Sequence, residues 1–273
     1  MKFTDQTGYP VYLDGQPRRI ISLVPSQTEL LFDLGLDEEI VGITRFCGRP
    51  ADKCATRAVV GGTKQFSFER IAELEPDLII GNQEENYREG IERLRQDYPV
   101  WVSDVLTLPG AYNMIASIGA LTGSEEAAAT MIHEIQSGIA TLPRWSPIRV
   151  AYFIWRSPLM VAGHGTFIQE MLHQCGLVNV FGHLPRYPEV TGAQVRQARP
   201  EILLLSSEPY PFSDRHLSEF SQYFPGIQPV LVDGQVFSWY GSRLLEAPAY
   251  LRALRQKLNV LVKPRKFPYD SGE

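Results

Sequence analysis

The sequence predicts an α/β protein built from two similar lobes, each a parallel sheet covered by helices on both faces. Three observations carry that reading. Short β-branched-rich runs alternate with helical patterns along the chain, the rhythm of strands buried in a parallel sheet. Patterns of the first half recur in the second: ERIAELEPDLII (69–80) against AQVRQARPEILL (193–204), and ELLFDLGL (29–36) against EMLHQCGL (170–177). A long helical stretch, 109–145, separates the halves. The expected organisation is a first lobe over 1–108, a connecting helical segment over 109–145 and a second lobe over 146–273.

RIISLV (19–24) reads as the first buried strand, ended by Pro25, which has no donor to continue a ladder. Ser26 is expected to cap the next helix, with Glu29 completing a Ser-x-x-Glu capping box, Leu30, Leu31 and Leu34 forming the apolar face and Gly35 the left-handed stop. That turn sets Ser26 and Gln27 at the carboxyl end of a strand, where open α/β sheets bind ligands. IVGIT (40–44), DLIIG (77–81) and VWVSD (100–104) complete the first sheet. In the connecting segment Ser124 opens a helix rich in Ala, Ile and Met that runs to about Leu142, before Pro143 and Pro147. About 18 helical residues span about 27 Å, a stiff link rather than a flexible one. The second sheet follows in RVAYFIW (149–155), LMVAG (159–163), EILLLSS (201–207) and PVLVD (229–233).

Composition narrows the function. With 273 residues, 44% of them hydrophobic and 21% charged, the chain can bury a sizeable core. A net charge of -5 argues against nucleic acid, whose phosphates require a basic stripe; the one basic cluster, Lys263, Arg265 and Lys266, reads as a solvated terminus. No apolar run is long enough for a membrane span, and MKFTDQTGYPVYLDG (1–15) lacks the apolar centre of a signal peptide. Cys47, Cys54 and Cys175 form neither a disulfide framework nor a zinc spacing. Cys47 and Cys54, in the loop FCGRPADKC, are open to pairing in an oxidising compartment, while Cys175 reads as a core residue.

Motifs for catalysis fail on spacing. HEIQS (133–137) lacks the second histidine of a zinc helix, leaving His133 on a helix surface, and GGTK (61–64) lacks the order that wraps a phosphate. His173 reads as packing. What remains is a set of aromatic and polar side chains at or beyond strand ends. Arg45, Phe46, Lys64 and Phe66 occupy the first lobe; Trp155, His164, Tyr187, Tyr210, Trp239, Tyr240 and Arg243 the second. Flat apolar walls with a polar rim suit a large ligand of mixed polarity, held in a cleft between lobes.

RIISLVPSQTELLFDLGL (19–36), VVGGTKQFSFERIAELEPDLIIG (59–81), GTFIQEMLHQCGLVNVF (165–181) and GAQVRQARPEILLLSS (192–207), in that order, resemble the class III periplasmic substrate-binding proteins, receptors for cobalamin, ferric siderophores and haem. The resemblance implies two Rossmann-like lobes with central parallel sheets joined by one long helix, and a ligand cleft between them. It further implies a small-molecule metal chelate as ligand, no intrinsic cofactor, no catalysis, and delivery to the permease of an ABC importer by a monomer. The implied location is the periplasm or cell envelope; the missing signal peptide leaves the cytoplasm open. The first string most resembles the cobalamin branch. Trp239 falls where that branch sets a tryptophan against the corrin, whereas Lys64 replaces an aromatic residue. Family members also offer the permease one glutamate per lobe. Glu69 fits that role, but Ala193 stands at the matching position of the second lobe, so Glu189 is the carboxylate left to substitute. The expected function is binding of a corrinoid or other metal chelate. The alternatives are a ferric-siderophore or haem binding protein, or a sensor, enzyme or metal-handling protein on the same scaffold.

Overall fold

The β-branched runs form two sheets in the computed structural model, which describes residues 1–262. Contacts divide the chain into a first unit, Met1–Gly138 with Trp239–Leu245, and a second, Ile139–Ser238 with Glu246 onward. The cluster Lys263, Arg265 and Lys266 lies outside the described residues.

In the first unit five parallel strands lie in the order Ala58–Val59, Ile40–Ile43, Ile20–Ser22, Leu78–Asn82, Val100–Ser103. Ile21, Leu23, Val60, Ile71, Ile79, Val100 and Val102 pack one core cluster of this unit. An N-terminal hairpin, Lys2–Thr4 with Pro10–Tyr12, was not legible in the sequence. Asp5 ties it to the edge strand: its carboxylate accepts from the amides of Thr7 and Tyr9, pairs with Arg95 and receives Val102 N at 3.3 Å. In the second unit Met160–Val161, Ile148–Trp155, Ile202–Ser206 and Gln228–Val232 lie in that order, with the first strand antiparallel and Leu177–Asn179 pairing parallel to Ile148–Trp155. Three-residue Leu177–Asn179 was too short to stand out as a strand.

The repeat seen in the sequence is reproduced down to side-chain hydrogen bonds. Ser67 caps Phe68–Glu73, and Thr191 caps Gly192–Ala198. Both helices end at a residue in the left-handed region, Glu75 (φ 42°) and Arg199 (φ 50°), followed by Pro76 and Pro200. The carbonyls freed there are taken by an arginine from the neighbouring strand start: Arg19 Nη2 donates to Leu74 O at 2.7 Å and Arg149 Nη2 to Ala198 O at 2.6 Å. An acid returns the contact, Asp77 accepting Arg19 N at 2.8 Å and Glu201 accepting Arg149 N at 2.8 Å. Each helix end and its following strand are thereby fixed to the first strand of their sheet. Last-turn carbonyls are among the groups a helix leaves unsatisfied, and a guanidinium with several donors suits them.

The segment read as a connector resolves into two helices. Leu108–Thr122 belongs to the first unit, its Met114, Ile115, Ile118 and Leu121 buried, and it ends at Gly123 (φ 69°). Glu125–Ala140 follows, packed so closely that a Cβ on Gly119 would stand 2.6 Å from that of Ala128. The division between units falls within this helix, and His133 lies exposed on it. Among the described residues no helix is long and apolar enough to cross a membrane.

All three cysteines are buried free thiols, so the Cys47–Cys54 pairing left open by the sequence is not formed. Cys47 Sγ sits 3.0 Å from Thr28 Oγ1 and 3.2 Å from Thr44 Oγ1. Burial pushes all three thiols up from an ordinary 9.0, Cys54 to about 11 and Cys175 to about 12. A raised value means that the folded chain holds the thiol proton more tightly, so this contribution to stability is present below pH 9 and lost as pH rises through 11. Because the thiolate is the nucleophile, native protein is expected to resist Ellman's reagent at pH 8 and to react in full in urea. Rapid stoichiometric labelling of the folded chain at pH 8 would contradict this burial.

Candidate functional site

The turn after the first strand differs from the capping box read in the sequence. The helix Pro25–Asp33 begins two residues earlier than expected, with Val24 at the N-cap and no side-chain cap. Proline suits the first helical position, where its missing N–H would have no partner. Ser26 is consequently inside the helix and buried, and its carbonyl is approached so closely by Gly241 that a Cβ there would stand 2.9 Å away. Gln27 is fully buried: Nε2 donates to Ser103 Oγ and lies 3.5 Å from Met114 Sδ. Asn82 Nδ2 donates to the same hydroxyl at 2.9 Å, while Asn82 Oδ1 accepts the amides of Glu84 and Glu85. Gln27 therefore braces the strand ends from within the core.

Glu29 does not cap the helix because it pairs with Arg243, which is 7% exposed. Burial holds the Glu29 carboxyl above its ordinary value, outweighing the opposing pull of the guanidinium. The stretch 239–245, read in the sequence as part of the second lobe, lies by its contacts in the first unit. Arg243 stands 5.9 Å over the ring of half-buried Trp239, and Tyr240 is buried.

Beyond the strand Ile40–Ile43, Arg45 stacks 5.2 Å from the ring of Phe46, which is 57% exposed. Thr63 and Lys64 form the hairpin turn between Gly61–Gly62 and Gln65–Phe66, and exposed Lys64 at its tip donates to Glu84 O at 2.6 Å. Phe66 points into the core, stacked 4.9 Å from Tyr87, and so leaves the accessible edge.

In the second unit Trp155 ends its strand, 39% exposed, with Nε1 donating to Ser157 O at 3.1 Å. Its ring meets Tyr210 edge-on at 5.5 Å, and Tyr210 meets Phe212 at 4.8 Å. Behind Tyr210 stands His216, 2% exposed, which sequence reasoning missed. The available signal was Ser213-x-x-His216, capping-box spacing with histidine in the fourth place. Exposed His164 runs beside 184–187, its amide donating to Leu184 O at 2.8 Å and its carbonyl accepting Arg186 N at 2.8 Å. That approach requires Gly163, where a Cβ would fall 2.0 Å from Leu184 O. Tyr187 is half-buried, with Arg186 5.7 Å over its ring. Glu69 is exposed on the first turn of its helix; Glu189 is exposed beside Met160, which it bridges, and Ala193 is exposed on the matching helix of the second unit.

Both units set aromatic and polar side chains beyond their strand ends, and residues 20–221 match the periplasmic binding protein family. The chain belongs to that family. Among its relatives, the vitamin B12-binding protein of Pectobacterium carotovorum is 26% identical over 242 residues, covering 85% of this chain and 86% of the relative. A possible iron-binding, periplasmic solute-binding protein from Staphylococcus epidermidis has a solved structure similar at TM-score 0.74 and 25% identity, over 89% of this chain and 99% of that one. The periplasmic heme-binding protein from Roseiflexus sp. RS-1 shares the fold at TM-score 0.75, with 20% identity, over 91% of this chain and all of the other.

The buried pair sets a clear expectation. Arg243→Met leaves Glu29 buried without its guanidinium and is expected to cost about 3 kcal/mol in urea unfolding, whereas Glu29→Met with Arg243→Met recovers most of that loss. A single variant as stable as the parent would show that the pair does not hold 239–245.

Proposed function

We propose that the chain is the non-enzymatic ligand-binding component of an ABC importer and that its ligand is a corrinoid. The observation that carries this reading is the match, along 85% of the chain, to a relative named as a vitamin B12-binding protein. Chemistry supports it. A corrin presents a broad apolar face ringed by amides, and Phe46, Trp155, Tyr187, Tyr210 and Trp239 offer rings, with buried Tyr240 behind them, while Arg45, Lys64 and His164 offer polar groups. Under this reading the sheet edge of each unit presents ligand-contacting groups. Ser26, Gln27 and Phe66 support that surface from inside, and Arg243 orients Trp239. A second reading, an iron chelate, draws on the likeness to the Staphylococcus epidermidis protein at 25% identity. Family membership supports a periplasmic or envelope location and delivery by a monomer, with Glu69 and Glu189 as the carboxylates offered to permease arginines.

Thermal shifts with cyanocobalamin, dicyanocobinamide, hemin and ferrichrome separate these readings, since a ligand at 100 times its Kd stabilises by ~2.7 kcal/mol. Cyanocobalamin is expected to raise the melting temperature. A shift with hemin or ferrichrome alone would favour the iron chelate, and none with any of the four would sink both. For the ligand that binds, Trp239→Ala is expected to cost ~2 kcal/mol of affinity; an unchanged Kd would remove Trp239 from the site.

Docking is tested apart from ligand binding. With one carboxylate displaced from Ala193 to Glu189, binding to a reconstituted cobalamin permease is expected to be weak and to be abolished by Glu189→Ala. Tight binding that survives Glu189→Ala would overturn the assignment of Glu189.

A further inference from the structure

Arg18, Arg88, Arg93, Arg95 and Arg243 of the first unit each meet a carboxylate. Exposed Arg45 meets none among the described residues, and its guanidinium donates no hydrogen bond to one. Its place is nevertheless defined. The Arg45 backbone N–H donates to Gly61 O at 2.8 Å, which joins the end of the strand Ile40–Ile43 to the hairpin of Gly61–Gly62 and Gln65–Phe66. The guanidinium carbon stands 5.2 Å from the centre of the Phe46 ring. Both groups lie against Gly62, where a Cβ would come 3.0 Å from Arg45 Nη2 and 3.2 Å from Phe46 Cε2. Contact with a ring engages the positive charge and none of the five N–H donors. Lys64, two residues beyond Gly62, directs its ammonium to Glu84 O, whereas no donor of the Arg45 guanidinium is directed to a described residue.

We propose that Arg45 is a specificity-determining residue at the carboxyl edge of the first unit: it receives an oxyanion of the ligand and so favours chelates that carry one. The inference rests on the binding role proposed above and names a group that the ligand bears. A guanidinium is planar and permanently charged, and a carboxylate or phosphate matches its fork with two parallel hydrogen bonds. A neutral amide oxygen leaves the charge unmatched. Ordering a long side chain on binding costs affinity, and an arginine already confined by Phe46 and Gly62 has less freedom to lose. On a corrinoid the oxyanion is the phosphodiester of the nucleotide loop; on an iron chelate it is a peripheral carboxylate.

The four chelates supply the test, since cyanocobalamin carries the phosphodiester and hemin carries carboxylates, while dicyanocobinamide and ferrichrome have neither. In titration calorimetry the full chain is expected to bind cyanocobalamin about tenfold more tightly than dicyanocobinamide, and Arg45→Gln to remove most of that difference. If hemin is the chelate that binds, Arg45→Gln is expected to lose about tenfold for hemin, which assigns the oxyanion to a carboxylate. Equal losses for both corrinoids, no loss for the chelate that binds, or binding of dicyanocobinamide or ferrichrome alone would overturn the proposal. Nitrogen-15 NMR with inorganic phosphate decides the point without a chelate. The Arg45 Nε–H signal, assigned by its disappearance in Arg45→Gln, is expected to shift more than those of Arg88 and Arg93, which are already paired. A shift no larger than theirs would overturn the proposal whatever the chain binds. If none of the four chelates binds, the function reading fails while the phosphate titration still decides the role of Arg45.

Discussion

The buried pair between Glu29 and Arg243 is the constraint on which the carboxyl edge of the first unit depends. Two charges removed from water are tolerable only together, so wherever Arg243 is buried, Glu29 must meet it. The partners are 214 residues apart in the chain. Their pairing holds Trp239–Leu245 in the first unit although the residues on both sides belong to the second. Gly241 completes the clamp by close approach to Ser26, and Trp239 lies under the guanidinium. An aromatic side chain that the chain order assigns to one lobe is thus delivered to the other.

Each unit solves the same problem with the same parts. A short capped helix must end, release its last carbonyls and enter a buried strand without leaving polar groups stranded. Arg19 with Asp77, and Arg149 with Glu201, close that turn in both units, with Glu75 and Arg199 absorbing the left-handed backbone. The duplication extends to the caps, Ser67 and Thr191, but not to the surface carboxylate beside them, where Glu69 faces solvent in one unit and Ala193 in the other. Structure common to the units is therefore kept by backbone hydrogen bonding, while the exposed position is under no such demand.

Polar groups at the two sheet edges are organised differently. In the first unit Gln27, Asn82 and Ser103 form an internal network in which Asn82 accepts the amides of Glu84 and Glu85 from within. In the second the support is aromatic, with Trp155, Tyr210, Phe212 and His216 braced edge-on against one another. Exposed Arg45 and Lys64 mark the first edge; exposed Trp155 and half-buried Tyr210 mark the second.

Local chemistry made much of the fold legible. The β-branched runs, the repeat and the Gly35 stop depend on a few neighbouring residues, and each is found where the sequence puts it. Contacts between residues remote in sequence were not legible. Nothing in Pro25-Ser26-Gln27-Thr28-Glu29 reveals that Arg243 claims the glutamate, and a capping box is the natural local reading until it does. Phe66 and Gln27 sit at strand and helix ends like exposed site residues, yet the core takes both because Tyr87 and Ser103 are there to meet them. Local periodicity specifies strands and helices because it acts through backbone propensity and one-sided burial. Which polar side chains are buried, and which aromatic rings stay at the edge, was decided only by tertiary structure, because desolvation and pairing depend on partners brought together by the completed fold.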